Sequence, residues 1–251
     1  MKRRTIRFGK AEVALYDSTE ELMADAAEEL FRTLIEKPKA VLALPTGATF
    51  EPFYAYVASN YKERGVSFKD AVAFNIDEYV GLPAGDPESY HTYMRKNLYD
   101  KVDMRMENAL LPDGNARDLD EETRRYENAI MSQGGIDLEY LGIGVNGHIG
   151  FNEPGTPFSS RTHVVELAAS TQKANSMYFL GRHTPKRAIT LGIGTLMEAR
   201  RVILMATGER KRDIIGRMLK SGKTERIPAS ALADNGNAKI LIDSGATPPG
   251  L

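Results

Sequence analysis

Four polar side chains crowd into one short stretch of the chain. Asn146, His148, Asn152 and Glu153 all lie within LGIGVNGHIGFNEPG, residues 141–155. The stretch opens as an apolar run, Leu141, Ile143 and Val145, and then breaks into glycines. A buried strand ending in a glycine-rich loop is where α/β proteins place chemistry. The glycines allow backbone conformations and close approaches that a Cβ would block. Histidine gives and accepts a proton near neutral pH, and Glu153 is spaced to orient or charge-stabilise His148. The plainer reading is a loop histidine satisfied by a backbone carbonyl, so other segments must decide.

Three of them end apolar runs in the same way. Thr46-Gly47-Ala48-Thr49 follows VLAL (41–44) and precedes a helix-like segment. Free N–H groups at a helix start, with two hydroxyls, make a phosphate cradle, although an ordinary turn with a Thr N-cap explains the same residues. Thr207 to Lys211 repeats the arrangement. A lysine in a first helical turn opposes the helix macrodipole, which suits a ligand anion; a solvated surface lysine is the alternative. Asp77-Glu78 directly follows AVAFNI (71–76). A carboxylate there can be desolvated and act as a base, or serve only as a cap. His91 and His183 fit surface or helix-face positions, and the Tyr90, Tyr93, Met94 spacing fits core packing. Lys2-Arg3-Arg4 fits a solvated terminus.

The elements that would carry these loops follow from periodicity. Ser18 and Glu21 have capping-box spacing before a helix over 18–37, with Leu22, Ala26, Leu30 and Leu34 on one face. Strands are expected at 41–44, 71–76, 136–144, 162–168, 188–193, 201–206 and 239–243. Helices are expected at 50–64, 86–100, 118–133, 170–179, near 195–200, at 208–222 and briefly after Pro228, before a frayed tail. This alternation predicts an α/β fold, a Rossmann-like doubly wound and mostly parallel sheet with helices on both faces, as one domain over 1–251. In such a sheet the four loops open on one edge.

Bulk properties narrow the function classes. With 251 residues, 42% hydrophobic, 27% charged and a net charge of -1, nothing favours nucleic acid or an acidic membrane surface. An anionic ligand must then be held by local groups. Cysteine is absent, which excludes thiolate chemistry and disulfides and fits a reducing cytoplasm. The first ten residues, MKRRTIRFGK, lack the apolar run of a signal peptide, and no apolar stretch approaches membrane-spanning length. The expected setting is cytoplasmic.

With these residues in hand, the chain resembles the glucosamine-6-phosphate deaminase/isomerase family. The resemblance runs nearly end to end, through LALPTGAT, FNIDEYVGL, ESYHTYM, LGIGVNGHIGFNEPG, SRTHVVEL, TLGIGTL and PASAL in order. It implies hydrolytic, isomerising deamination of glucosamine 6-phosphate to fructose 6-phosphate and ammonia, with no metal or organic cofactor. Asp77 then matches the base that moves a proton from C2 to C1, His148 the residue that opens the sugar ring, and Glu153 its carboxylate partner. Thr46, Gly47, Ala48, Thr49 and Lys211 match phosphate-binding positions. The implied partner is a small-molecule sugar phosphate, with no nucleic acid and no membrane; a homo-oligomer is left open.

The chain departs from the family's pattern at three places. Asn146 stands where some members carry a third catalytic carboxylate and others asparagine; it can orient His148 but not raise its pKa by charge. Met177 stands where many members have a phosphate-contacting arginine, a loss that Arg182 or Arg210 would have to offset. His163 and Val165 replace the basic pair of the allosteric site in regulated members, so no activation by N-acetylglucosamine 6-phosphate is expected. The rival readings are a galactosamine-6-phosphate deaminase giving tagatose 6-phosphate, a 6-phosphogluconolactonase-like hydrolase, and a non-catalytic sugar-phosphate sensor. The Asp77-Glu78 pair together with His148 and Glu153 favours the deaminase.

Overall fold

The computed structural model describes residues 4–179 and 182–251. The chain begins with an antiparallel hairpin, β1 (Arg4–Phe8) and β2 (Ala11–Tyr16). Then follow α1 (Thr19–Glu36), β3 (Val41–Leu44), α2 (Phe50–Asn60), β4 (Val72–Asn75), β5 (Asp77–Tyr79), α3 (Tyr90–Asn97), β6 (Ala109–Leu110), α4 (Leu119–Ser132) and β7 (Leu138–Gly142). The second half holds β8 (His163–Glu166), α5 (Ala169–Asn175), β9 (Arg187–Thr190), α6 (Ile193–Met197), β10 (Val202–Ala206), α7 (Arg212–Ser221) and β11 (Ala238–Asp243). Ser18 caps α1 as its spacing implies: its Oγ accepts from the Glu21 N–H at 3.2 Å.

Eight strands form one sheet in the order β1-β2-β11-β10-β7-β3-β4-β6, parallel throughout except for the edge strand β1. Its inner strands are apolar at successive positions because both faces are covered. Leu42, Ala73 and Tyr140 pack beneath Leu22, Leu30, Phe53, Tyr54 and Met94 of α1, α2 and α3. On the other face Ala43, Phe74, Leu141 and Leu204 meet Tyr126, Leu196, Ile214 and Ile215 of α4, α6 and α7. Each such leucine or isoleucine contributes about 1.5–3 kcal/mol by leaving water. This is the doubly wound architecture expected from the sequence. Among the described residues no helix is long and apolar enough to cross a membrane.

Several boundaries differ from the sequence expectations. Asp77 and Glu78 do not sit in a loop; they begin β5, which pairs with β9 in a second, antiparallel sheet of order β5-β9-β8. That sheet has its own small core of Tyr79, Phe151, Leu167, Phe179 and Ala188. The helix expected over 86–100 spans only Tyr90–Asn97, and the one expected over 170–179 ends at Asn175 and continues as a 3₁₀ turn. Arg4 belongs to β1, while Lys2 and Arg3 lie outside the described residues. The tail is anchored, not frayed: Ala246 and Pro248 are buried, and the Ala246 N–H donates to Asp243 at 2.8 Å.

Candidate functional site

The strand order places a crevice. From β3 the chain moves outward to β4 and β6, returns through α4 to β7 on the other side of β3, and continues outward to β10 and β11. The direction of winding thus reverses between β3 and β7, and ligands bind outside the carboxyl ends of strands at such a point. The four polar loops all leave the carboxyl ends of β3, β4, β7 and β10, which are neighbours in the sheet.

Asp77 lies just past the end of β4. Its backbone pairs with Thr190 across β5 and β9, and the carboxylate is buried, its Oδ1 lacking a hydrogen-bond partner among the described residues. Burial pushes its pKa well above the usual carboxylate range, and the neighbouring charge of Glu78 adds to the shift. Glu78 points elsewhere. Its Oε1 accepts from the N–H groups of Tyr79 (2.8 Å) and Tyr90 (3.0 Å), and Oε2 accepts from His91 N–H at 3.0 Å. It therefore anchors the start of α3, where a negative charge suits the helix macrodipole. Burial raises Glu78 to about 7 against those lowering contacts. The two adjacent carboxylates have separate work: one is anchored, the other is left without a partner.

The glycine-rich loop folds over Asp77. Gly150 has φ +55, and a Cβ there would stand 2.8 Å from Thr190 Oγ1 and 3.7 Å from Asp77 Oδ2, so only a bare backbone fits. The Phe151 N–H donates to the same Thr190 hydroxyl at 3.0 Å. Asn146 Nδ2 donates to Glu153 Oε2 at 2.7 Å, and Asn146 Oδ1 accepts the His148 N–H at 3.2 Å. His148 Nδ1 stands 3.7 Å from Glu153 Oε2. Burial alone would raise the Glu153 pKa, but His148, Thr171 and Asn146 outweigh it and bring it down to about 2. Asn152, the fourth polar residue of the loop, is structural: its Nδ2 donates to Ile149 O and Leu191 O at 2.9 and 2.8 Å.

Thr46, Gly47, Ala48 and Thr49 form the turn into α2. Among the described residues the N–H groups of Ala48 and Thr49 have no hydrogen-bond partner. Thr49 does not cap the helix; its hydroxyl lies 3.4 Å from the Thr207 hydroxyl at the end of β10. Lys211 reaches from the β10 loop to the end of β7, where its Nζ donates to Ile143 O at 2.5 Å. Burial, then the charge of Arg210, lowers its pKa. N–H groups without a partner, hydroxyls and a lysine ammonium are groups able to hold an anion. Gly208 N–H is not available to it, being held by Asp243 at 3.0 Å.

Other residues stand apart or come in unannounced. Met177 is 63% exposed, and Arg182 is occupied by a bidentate pair with Asp86 at 2.7 and 3.0 Å. His163 Nδ1 bonds Arg161 O, and His183 is exposed. Tyr90 is more than core: it contacts Thr46, and its neighbour Tyr93 donates to Gly47 O at 2.8 Å, so α3 braces the turn that leads into α2. Thr171 and Asp243 also went unread. A lone Thr on a helix and an Asp ending a strand carry no sequence signal of their own.

Residues 14–241 match the family model described as glucosamine-6-phosphate isomerases/6-phosphogluconolactonase. A glucosamine-6-phosphate deaminase of Shouchella clausii is 48% identical over 90% of this chain and 92% of its own length. Glucosamine-6-phosphate deaminase 1 of Bacillus subtilis is 43% identical over 90% and 94%. The solved structure of a monomeric glucosamine-6-phosphate deaminase superposes with a TM-score of 0.90 at 42% identity, covering 93% of this chain and 98% of that one. A 6-phosphogluconolactonase of Thermotoga maritima, with a TM-score of 0.74 at 18% identity over 92% and 99%, shares the fold.

Proposed function

The chain belongs to the family of glucosamine-6-phosphate isomerases and 6-phosphogluconolactonases, and within it we propose that this enzyme is an isomerising deaminase of glucosamine 6-phosphate. Substrate and water give fructose 6-phosphate and ammonia. The observation that carries the reading is Asp77: a buried carboxylate with Oδ1 unpartnered, beneath the loop that bears His148.

The roles follow from the types and positions of the groups. Thr46, Gly47, Ala48, Thr49 and Lys211 hold the phosphate through N–H groups, hydroxyls and one ammonium. His148, backed by Glu153 and with its loop fixed by Asn146, transfers the proton that opens the pyranose ring. Asp77 then removes the proton from C2 and returns it to C1, which converts the aminoaldose to an enolamine and on to the ketose level. Water adds at C2 and ammonia leaves. A proton moved between adjacent carbons needs one base within reach of both, and such a base contributes a factor of about 10²–10⁴. An unpartnered carboxylate loses no existing hydrogen bond when it takes that proton.

The gluco epimer is preferred because the relatives that cover most of this chain carry that name. Ammonia release from glucosamine 6-phosphate and galactosamine 6-phosphate, measured side by side, tests the proposal. Faster turnover of the gluco epimer is expected. Preference for the galacto epimer would move the substrate and keep the mechanism, and lactone hydrolysis without ammonia release would overturn it.

A further inference from the structure

The Glu153 carboxylate and the His148 ring stand 3.7 Å apart, Oε2 to Nδ1, which is an ion-pair distance and too long for a hydrogen bond. Asn146 does not close that gap: it bonds the carboxylate and the backbone N–H of His148, not the ring. The side chain that reaches the ring is Thr171, in the first turn of α5, only 3% exposed. Its hydroxyl lies 3.4 Å from His148 Nδ1 and also acts on Glu153.

Resting on the ring-opening reading of His148, we propose that Thr171 is a positioning residue whose hydroxyl bridges Glu153 to His148 Nδ1 and thereby sets which imidazole nitrogen carries the proton. Donor count fixes the tautomer. A carboxylate only accepts, and a threonine hydroxyl has a single proton. With that proton given to Glu153, the oxygen has only lone pairs left for the ring, so Nδ1 must carry hydrogen. Nε2 is then the basic nitrogen of neutral His148, the atom free to exchange a proton with the sugar. The same turn of α5 grips the site twice more: Ala168 N–H donates to Glu153 Oε1 at 3.1 Å, and Ser170 Oγ lies 3.5 Å from Asn146 Nδ2. Docking of α5 and the tautomer of the histidine are thus one event.

The test reads the tautomer directly. The chain has four histidines, so nitrogen-15 imidazole spectra can be assigned by the signal lost in His148→Gln. In the wild type, neutral His148 is expected to carry hydrogen on Nδ1. Thr171→Ser should keep that pattern and kcat within about twofold. Thr171→Val, of the same shape without the hydroxyl, should give a mixture of tautomers and a kcat about tenfold lower, the worth of one hydrogen bond. A wild-type tautomer in Thr171→Val, or hydrogen on Nε2 in the wild type, would overturn the proposal. A tautomer shift in a protein that releases no ammonia would uphold the bridge and remove the deaminase reading instead.

Discussion

A Cβ placed on Gly144 would lie 2.3, 2.4 and 2.5 Å from Cε1, Nε2 and Nδ1 of His148. The imidazole is laid flat against the backbone where the β7 strand ends, and the absence of a side chain there is what lets it lie so. The backbone of Gly144 is outside the left-handed region, and the three atoms nearest an alanine Cβ all belong to the ring. Gly144→Ala should therefore fold with a near-wild-type melting temperature and lose on the order of 10²-fold in kcat/KM, the usual penalty for displacing a reacting group by about an ångström. Wild-type activity in this variant would mean that His148 works from a different rotamer.

In the proposed mechanism Asp77 must be ionised to take a proton, so activity should rise with pH as it ionises. Its pKa is held well above the ordinary carboxylate range, first by burial and then by Glu78. Replacing Glu78 with Gln removes the like charge and leaves the burial. The acid limb of the kcat/KM profile should move to lower pH without returning to that of a free carboxylate. Since glutamine keeps one acceptor for the start of α3, the limb, not the maximal rate, is the quantity to compare. An unmoved limb would show that Glu78 does not set the titration of Asp77.

Much of this site is legible in the sequence because its residues sit at strand ends. VLAL (41–44), AVAF (71–74) and VILMA (202–206) are unbroken apolar runs, which marks strands covered on both faces and so puts their following loops on one edge. What the sequence hides is decided by contacts far along the chain. Glu78 looks like a partner for Asp77 until α3 folds back onto it from residue 90. Asp243 organises Gly208 and Thr19 from the end of β11, the last strand along the chain. The β1–β2 hairpin went unread although Gly9-Lys10 is a two-residue turn, because its flanking residues look like a basic tail. Gly9 has φ +58 and its Cβ position would fall 2.2 Å from Ala233 O, a contact no local pattern encodes.

Lys211 is half-enclosed, with its ammonium bonded to Ile143 O. Burial disfavours its charged form, and a phosphate beside it would restore that form. Lys211→Met should raise KM for the sugar phosphate more than it lowers kcat, with a loss in kcat/KM of roughly 10- to 100-fold, as expected for one charged hydrogen bond. Hydrolysis or binding of a sugar without phosphate should be unchanged. Equal losses with and without the phosphate would place Lys211 outside that subsite.

Glu139 is the second residue of β7, fully buried, between Ala43 of β3 and Val202 of β10. Neither carboxylate oxygen has a hydrogen-bond partner among the described residues, and burial alone raises its pKa well above the usual range. The consequence for stability has a definite sign. Below the ordinary carboxyl pKa both the folded and the unfolded chain hold the proton, and the group is indifferent to pH. Above it the unfolded chain releases the proton while the folded chain keeps it, so stability falls as pH rises, by up to about 1.4 kcal/mol per pH unit. Glu139→Met removes the proton and fills a similar space with an adaptable apolar chain. The variant should melt higher than the wild type at pH 8, by about 2–4 °C for each kcal/mol recovered. The gain should shrink as the pH approaches 4.5. The same gain at both pH values would mean that Glu139 titrates normally in the folded chain.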